Sequence, residues 1–230
     1  MYLKSITLAA AMSVVALSAQ SATLSYDQPD LVAGVVDAGL TTVDVVKGGV
    51  TMTAVANNGG AINVYNSGGG AGLYIGSITS GPLNTNTNTT APASGSYGLE
   101  FSQAITSISF VFDWLTKSTH GEEALSMFST DNGALSLAAA NFTNLGGTSL
   151  DAGAQTINTT VGRGKGSVTY SGADFTSFYF DHTQNPRNIG FTVTNVTVEL
   201  APVPLPAALP MLAAALGGLG LIRRTRRKSA

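Results

Sequence analysis

The stretch ITSISFVFDWL, residues 105–115, has the strongest strand pattern of this chain. Four large apolar residues in it occupy every second position: Ile108, Phe110, Phe112 and Trp114. Side chains of a β-strand alternate between the two faces of a sheet, so these four share one face. The stretch therefore predicts a half-buried strand whose inner face forms the densest apolar layer of the protein.

A second strand with a strong apolar pattern is predicted at residues 189–200. Its apolar residues fall into two sets of opposite parity, Phe191 and Val193, then Val196, Val198 and Leu200. A strand with a period of two cannot bury both sets on the same side of a sheet. We therefore predict a β-bulge or bend near Thr194 and Asn195.

Turn residues separate further strand-like runs. The tetrapeptide Asn57-Asn58-Gly59-Gly60 lies between the runs 50–56 and 61–65, and Asp131-Asn132-Gly133 lies between the runs 125–129 and 134–138. Asn-Gly between two such runs predicts a hairpin, because both central residues of a type I′ turn need positive φ. Other runs rich in Thr, Ser, Val and Phe are residues 97–102, 167–171 and 175–181.

These patterns predict the fold class of residues 22–201. Many short strands, 27 glycines in the chain and no helical periodicity with caps indicate an all-β domain. There is also no alternation of strands with helical segments. The prediction is an antiparallel β-sandwich that is jelly-roll-like.

The segment TSGPLNTNTNTTAPASGS, residues 79–96, is polar and almost free of apolar residues. It predicts a long surface loop or a flexible linker. A linker would divide the chain into two domains, but the Gly-rich residues 24–78 are few for a separate core. One domain with a long loop is the preferred interpretation.

Charge is distributed unevenly along the chain. All 13 acidic residues lie between Asp27 and Glu199, where only five of the 11 basic residues occur, so this region has a net charge of 5 − 13 = −8. An acidic surface disfavours nucleic acids as partners and keeps a protein soluble. The chain has no cysteine, which excludes disulfides and thiolate chemistry.

The first 21 residues predict a secretory signal peptide. They have a cationic start at Lys4, an apolar segment over residues 6–17 and small residues after it. The apolar segment is too short to span a membrane. Cleavage by signal peptidase after Ser21 places Ala19 at the −3 position, whereas cleavage after Ala22 places Gln20 there, so we prefer Ser21.

The C-terminal segment 202–230 has three parts. Val203-Pro204-Leu205-Pro206-Ala207 is followed by an apolar run to Ile222 and by the cations Arg223, Arg224, Arg226, Arg227 and Lys228. The prolines exclude a helix before Ala207. A helix over residues 207–222 would be about 24 Å long, which is marginal for a single membrane span. The basic tail 223–228 extends its reach and is expected on the cytoplasmic side.

This arrangement closely resembles the VPLPA variant of the bacterial PEP-CTERM sorting signal, whose processing enzyme is an exosortase. The resemblance implies a Gram-negative host. It also implies an exported precursor held in the inner membrane, then cleaved near the motif and passed to the cell surface or the extracellular matrix, where such proteins are associated with biofilm exopolysaccharide. The residues alone also fit a plain C-terminal membrane anchor with a Pro-rich hinge.

No combination of residues predicts an active site. Ser118, His120 and Glu122 are close in sequence, but neither a strand nor a loop would hold them as a catalytic triad. His182 is predicted in a polar loop between the last two strands. The glycines of residues 68–72 predict a turn or strand edge, because no helix follows them as in a phosphate-binding loop.

Carboxylates are candidates both for acid–base pairs and for metal ligands. Glu100 and Asp113 are on predicted strands that could be adjacent, which would allow a cross-strand carboxylate pair, although solvated carboxylates are the simpler interpretation. Asp131 with Asn132, and Asp181 with Asn185, are weak candidates for calcium, so metal binding stays undecided. No cofactor is expected.

Two functions from different classes follow from these observations. The first is a non-enzymatic surface or matrix protein. The second is a carbohydrate-binding, lectin-like module on the same β-sandwich, which needs aromatic rings on an exposed face. The tyrosines available between the two terminal segments are Tyr65, Tyr74, Tyr97, Tyr170 and Tyr179.

Overall fold

The computed structural model describes residues 21–32, 40–57, 62–65, 72–75, 94–118, 121–183, 191–203 and 215. Its strands are β1 (Thr23–Tyr26), β2 (Thr42–Lys47), β3 (Val50–Asn57), β4 (Ile62–Tyr65), β5 (Gly72–Ile75), β6 (Ser94–Leu115), β7 (Lys117–Ser118), β8 (Gly121–Glu122), β9 (Ala124–Thr130), β10 (Gly133–Ala134), β11 (Phe142–Gly146), β12 (Thr148–Asp151), β13 (Thr156–Thr159), β14 (Gly164–Thr183) and β15 (Phe191–Leu200). One short helix, α1 (Gln28–Val32), and a 3₁₀ turn, Ala139–Asn141, complete the described elements.

Within these ranges no helix is long and apolar enough to cross a bilayer. The predicted membrane helix 207–222 lies outside the described residues except for Ala215.

Two long strands, β6 and β14, form the centre of the sheet. They pair antiparallel over nearly their full length, with Gly164 opposite Leu115 at one end and Thr183 opposite Ser94 at the other. Each strand changes its second neighbour halfway. The first half of β6 pairs with β3 and the second half with β15, whereas β14 pairs first with β11 and then with β9.

The prediction of an all-β chain with antiparallel strands is confirmed at this level, because thirteen of the described strands join one antiparallel sheet. The predicted strands 97–102 and 105–115 are two parts of the continuous strand β6. Similarly, the predicted strands 167–171 and 175–181 are parts of β14. The β6–β14 register shifts between Ser171 and Ser177, where the neighbours of both strands change.

The core is aromatic and lies where the two halves of the long strands meet. Ile108, Phe110 and Phe112 have 0% exposure, as predicted. The ring of Phe110 packs against Phe180 at a centroid distance of 5.4 Å and against Phe178 at 5.7 Å. Residues of the second half of β6 therefore contact residues of the second half of β14, which pairs with the opposite end of β6.

The prediction that Trp114 belongs to this layer is wrong. Trp114 has a φ of 70° and is only partly buried, and Leu115 takes the next fully buried position instead. A residue with positive φ interrupts the alternation, and the register with β14 shifts at the same place, between Gly164 and Gly166.

The predicted bulge in β15 is confirmed. The register between β15 and β6 shifts between Val193 and Asn195. Because of this shift, the apolar sets on both sides of the bulge face the core, and Val193 and Val196 both have 0% exposure.

One predicted hairpin is confirmed and the other is wrong. Gly133 pairs with Thr130 across the Asp131-Asn132-Gly133 turn. In contrast, β3 pairs with β2 and β6, while β4 pairs with β5. The hairpin is instead β2–β3, whose turn residues Gly48 and Gly49 have φ values of 59° and 78°, as a type I′ turn requires.

Residues 22–201 form one compact unit, and the terminal segments 1–21 and 202–230 are grouped separately from it. The two ends of the compact unit are hydrogen-bonded to each other. Thr23 in β1 is opposite Glu199 in β15, and the Leu200 N–H donates to the Ala22 carbonyl at 2.8 Å. The Ala201 N–H then donates to the Ala104 carbonyl at 2.9 Å.

Candidate functional site

On the outer surface of β2, β3, β6, β14 and β9, an aromatic ring lies over a glycine of the neighbouring strand. Inward residues of these strands, such as Leu99 in β6 and Phe180 in β14, are fully buried. Alternate residues therefore point to the opposite side. On that side, Tyr179 of β14 is opposite Gly98 of β6, and Gly98 is opposite Val55 of β3.

Tyr179 packs closely over Gly98. A Cβ atom added at Gly98 would overlap the Tyr179 ring and would lie 2.9 Å from Cγ2 of Val55. The Tyr179 hydroxyl donates to Oε1 of Glu100 at 2.7 Å. Partial burial, and then this hydrogen bond, raise the pKa of Tyr179 above its ordinary value, so the phenol stays protonated. The ring is half-buried and fixed at both ends.

An irregularity in β9 places Met127 between the positions opposite Tyr179 and Asp181. Ser129 is opposite Tyr179 and Ser126 is opposite Asp181, with a register shift between these pairs. Met127 has a φ of 52° and is 71% exposed. We call Met127, Tyr179, Gly98 and Val55 the Tyr179 row. Tyr179, Gly98 and Val55 are directly opposite one another, and Met127 lies on the next strand, about one position along from the residue opposite Tyr179.

Carboxylates flank the Tyr179 row. On one side Glu100 is opposite Thr53, which is opposite Asp44 in β2, and the Thr53 hydroxyl donates to Asp44 at 2.6 Å. On the other side is Asp181 of β14, opposite Ser96. The predicted cross-strand pair of Glu100 and Asp113 is wrong, because both residues belong to the same strand, β6.

Asp113 instead belongs to a second cluster. Arg163 donates to both carboxylate oxygens of Asp113, with distances of 3.1 Å from Nε and 2.9 Å from Nη2. The guanidinium carbon lies 4.6 Å from the ring centroid of Trp114. Arg163 thus covers the ring that the bulge removes from the core. This is a cation–π stack with a bidentate anchor, which explains both side chains structurally.

The prediction that His182 lies in a polar loop is wrong. It is part of β14, is 1% exposed and packs against Phe191 at a ring distance of 5.0 Å. Its Nε2 has no hydrogen-bond partner among the described residues. Burial in this apolar setting lowers the pKa of His182 to about 3. The imidazole is therefore neutral and is a core residue.

The calcium candidate Asp131 has a structural role. Its carboxylate accepts hydrogen bonds from the backbone N–H and the hydroxyl of Thr176, at 3.1 and 2.9 Å. Desolvation opposes ionisation, but the hydrogen bonds from Thr176 and Ser177 outweigh it, so the pKa of Asp131 is below its ordinary value. The side-chain amide of Asn132 donates to the Asp174 carbonyl instead of facing a site shared with Asp131. Within the described ranges no three His, Cys, Asp or Glu residues are grouped as a metal site.

Several predicted residues lie outside the described part of the chain. They include His120, Asn185, Pro204–Ala207, the basic tail 223–228, most of the loop 79–96 and residues 68–71. Ser21, Ala22 and Val203 are described and exposed. Glu122 forms an ion pair with Lys117, and the buried Glu123 accepts hydrogen bonds from Thr116, which gives neither carboxylate a catalytic arrangement.

The tyrosines do not form a platform of several rings within the described residues. Tyr97 is 2% exposed, and Tyr170 packs against Phe175 at a ring distance of 5.4 Å. The side chains of Tyr65 and Tyr74 lie outside the described part of the chain. Strict alternation with Phe178 and Phe180 could have placed Tyr179 outside the core from the sequence. No sequence signal marks the bulge that exposes Met127.

Comparisons with known proteins add little to this geometry. No protein-family model matches the chain, and no curated protein matches it. Among solved structures, an isomalto-dextranase from Arthrobacter globiformis T6 complexed with panose aligns with 79% of this chain at 11% identity and a TM-score of 0.25. The aligned part is 33% of that enzyme. A similarity this weak supports neither a shared fold nor a shared function.

Proposed function

We propose that this protein is an exported, non-enzymatic bacterial surface or extracellular-matrix protein. In this proposal the signal peptide 1–21 directs export, the helix 207–222 holds the precursor in the inner membrane, and an exosortase releases it near Val203–Ala207. The observation that carries the proposal is the complete Val-Pro-Leu-Pro-Ala motif followed by an apolar run and a basic tail.

The ends of the β-structure are compatible with cleavage at both sites. The pairing of β1 with β15 begins at Thr23, and the backbone hydrogen bonds that follow β15 extend to Ala201. Cleavage after Ser21 and cleavage near residues 203–207 would both leave these hydrogen bonds intact. Val203 is 69% exposed, which suits recognition by a processing enzyme.

We also propose that the sheet closes into a jelly-roll-like sandwich. The change of partners halfway along β6 and β14 is the feature expected where strands pass from one layer to another. The ring contacts of Phe110 with Phe178 and Phe180 support two layers that face each other across an aromatic core.

Intact mass and cell fractionation test the sorting proposal in a producing strain with and without its exosortase. We expect an extracellular product that ends near residues 203–207 and is absent without the enzyme. A full-length tail retained in the membrane of both strains would show a plain membrane anchor instead.

A carbohydrate-binding function is the second candidate, and one observation favours it. Tyr179 is a half-buried ring on the outer surface of the sheet, fixed by Gly98 beneath it and by the Glu100 carboxylate at its hydroxyl. Aromatic rings fixed in this way offer an apolar surface with a polar end. Retention of the protein on immobilised polysaccharides, compared with retention of Tyr179→Ala, tests this function.

A further inference from the structure

We propose that the Tyr179 row binds a neutral polysaccharide chain, which lies across the strands from Met127 to Val55. This inference depends on the second candidate function, carbohydrate binding, and is independent of the sorting proposal. It specifies which surface binds, in which direction the chain runs and which chemical class of glycan is accepted.

The dimensions and composition of the row suit an extended chain. Met127, Tyr179, Gly98 and Val55 lie on four successive strands, β9, β14, β6 and β3. Three steps between strands correspond to about 14 Å. Along this length the row presents a thioether, an aromatic ring and a branched aliphatic group. The apolar faces of sugar rings can pack against such groups, and the hydroxyls at the ring edges then project sideways.

Acceptors lie where those hydroxyls would project. Glu100 and Asp44 follow one side of the row and Asp181 follows the other. Hydroxyl groups that donate to ionised carboxylates form stronger hydrogen bonds than neutral pairs do. The Glu100 carboxylate also retains acceptor capacity beyond the one hydrogen bond that Tyr179 donates.

The charges of the described residues disfavour anionic partners. The cations described in the sheet lie away from the row: Lys47 is paired with Asp30, Arg163 with Asp113 and Lys117 with Glu122, and Lys165 is opposite Gly146 at the far end of β14. Within the described part of the chain, a polyuronate or a nucleic acid would therefore meet the carboxylates of the row without a cation beside them. A second copy of this acidic domain would meet the same repulsion.

The backbone at Met127 gives an independent reason to expect a ligand here. A non-glycine residue with positive φ is strained, and bulges of this kind redirect a side chain. Here the strain exposes a large apolar side chain to solvent, which contributes nothing to the core. An exposed methionine on the strand next to a fixed aromatic ring is explained if both contact a ligand.

Affinity electrophoresis of the full-length protein in mild detergent tests the inference, with gels that contain hydroxyethylcellulose, dextran or alginate. We expect at least one neutral polymer to retard the protein and alginate to have no effect. Tyr179→Ala should weaken the association constant at least ~10-fold, and Met127→Ser about threefold, as expected for lost apolar contact. Leu145→Ser is the matched control, because Leu145 is 48% exposed on β11, outside the row, and should leave retardation unchanged.

Each other outcome identifies what is wrong. Retardation by alginate alone would overturn the neutral ligand but keep carbohydrate binding. Retardation by a neutral polymer that neither Tyr179→Ala nor Met127→Ser weakens would place the ligand elsewhere and overturn the row. Absence of retardation in all gels would overturn both the row and the second candidate function. If Tyr179→Ala does not fold, as judged by urea unfolding, the exposed Met127→Ser variant still decides between these outcomes.

Discussion

The protein should lose stability between pH 7 and pH 5 because His182 binds a proton only when it is unfolded. Replacement of His182 by leucine should remove this part of the loss. In the folded protein burial lowers the pKa of His182 to about 3, whereas an unfolded histidine has a pKa of about 6.5. Below pH 6.5 the unfolded state therefore binds the extra proton, and stability falls as the pH falls until the folded pKa is reached.

The size of this effect follows from the two pKa values. A pH of 5 is about 1.5 units below the unfolded pKa, so proton binding then stabilises the unfolded state relative to the folded state by about 2 kcal/mol. At pH 4 the same calculation gives about 3 kcal/mol. His182→Leu has no proton to bind in either state. The pH-dependent loss of its unfolding free energy between pH 7 and pH 5 should therefore be smaller by about 2 kcal/mol.

Urea unfolding at pH 7, 6 and 5, followed by circular dichroism, measures this difference for both proteins. The carboxylates contribute equally to both, so only the difference between the two pH profiles matters. Parallel profiles for His182→Leu and the unsubstituted protein would mean that His182 is not buried as a neutral group, contrary to this prediction. A titration of the His182 ring by NMR with a midpoint near 6.5 would have the same meaning.

Three further substitutions test the local geometry. Asp113→Ala should release Arg163 from the ring of Trp114, the only tryptophan of the chain. Because Arg163 is half exposed, we expect a stability loss of about 1 kcal/mol or less, together with a red shift of tryptophan emission. An unchanged emission spectrum would contradict the stack of Arg163 on Trp114. Asp131→Ala should lower the unfolding free energy by about 1 kcal/mol at pH 7. Since the folded pKa of Asp131 is lowered, this difference from the unsubstituted protein should disappear as the pH falls through that pKa. Urea unfolding at acidic pH measures the difference. Gly98→Ala should cost about 1–3 kcal/mol by overpacking against Tyr179 and Val55, and a melting temperature equal to that of the unsubstituted protein would show that the ring does not occupy this space.

Sequence patterns are informative in this chain where a local rule and the tertiary structure agree. Alternation places Ile108, Phe110 and Phe112 in the core, and the conflict of parity between Val193 and Val196 predicts the bulge in β15. In each case the physical constraint is the two-residue period of a strand with one buried face. That constraint is present in the sequence itself.

Other features depend on contacts between distant residues and could not be predicted. His182 follows a charged residue and precedes polar ones, which suggests a loop, yet Phe191 and Tyr97 bury it. The continuity of β6 depends on the change of neighbour from β3 to β15, which no local pattern records. The Gly48-Gly49 turn is a different case. Its signal is present in the sequence, but the Asn-Gly signal ten residues later is the stronger one and leads to the wrong hairpin.

Trp114 and Met127 are the two non-glycine residues with positive φ in the described strands, yet they lead to different interpretations. Trp114 leaves the core, but Arg163 covers its ring and Asp113 fixes Arg163, so the protein itself supplies a partner for the displaced ring. Met127 is displaced in the same manner, yet it is 71% exposed. Strain that is not compensated within the fold is expected where a binding surface needs it. For this reason we place the candidate ligand site at Met127 and Tyr179, and not at the chain's only tryptophan.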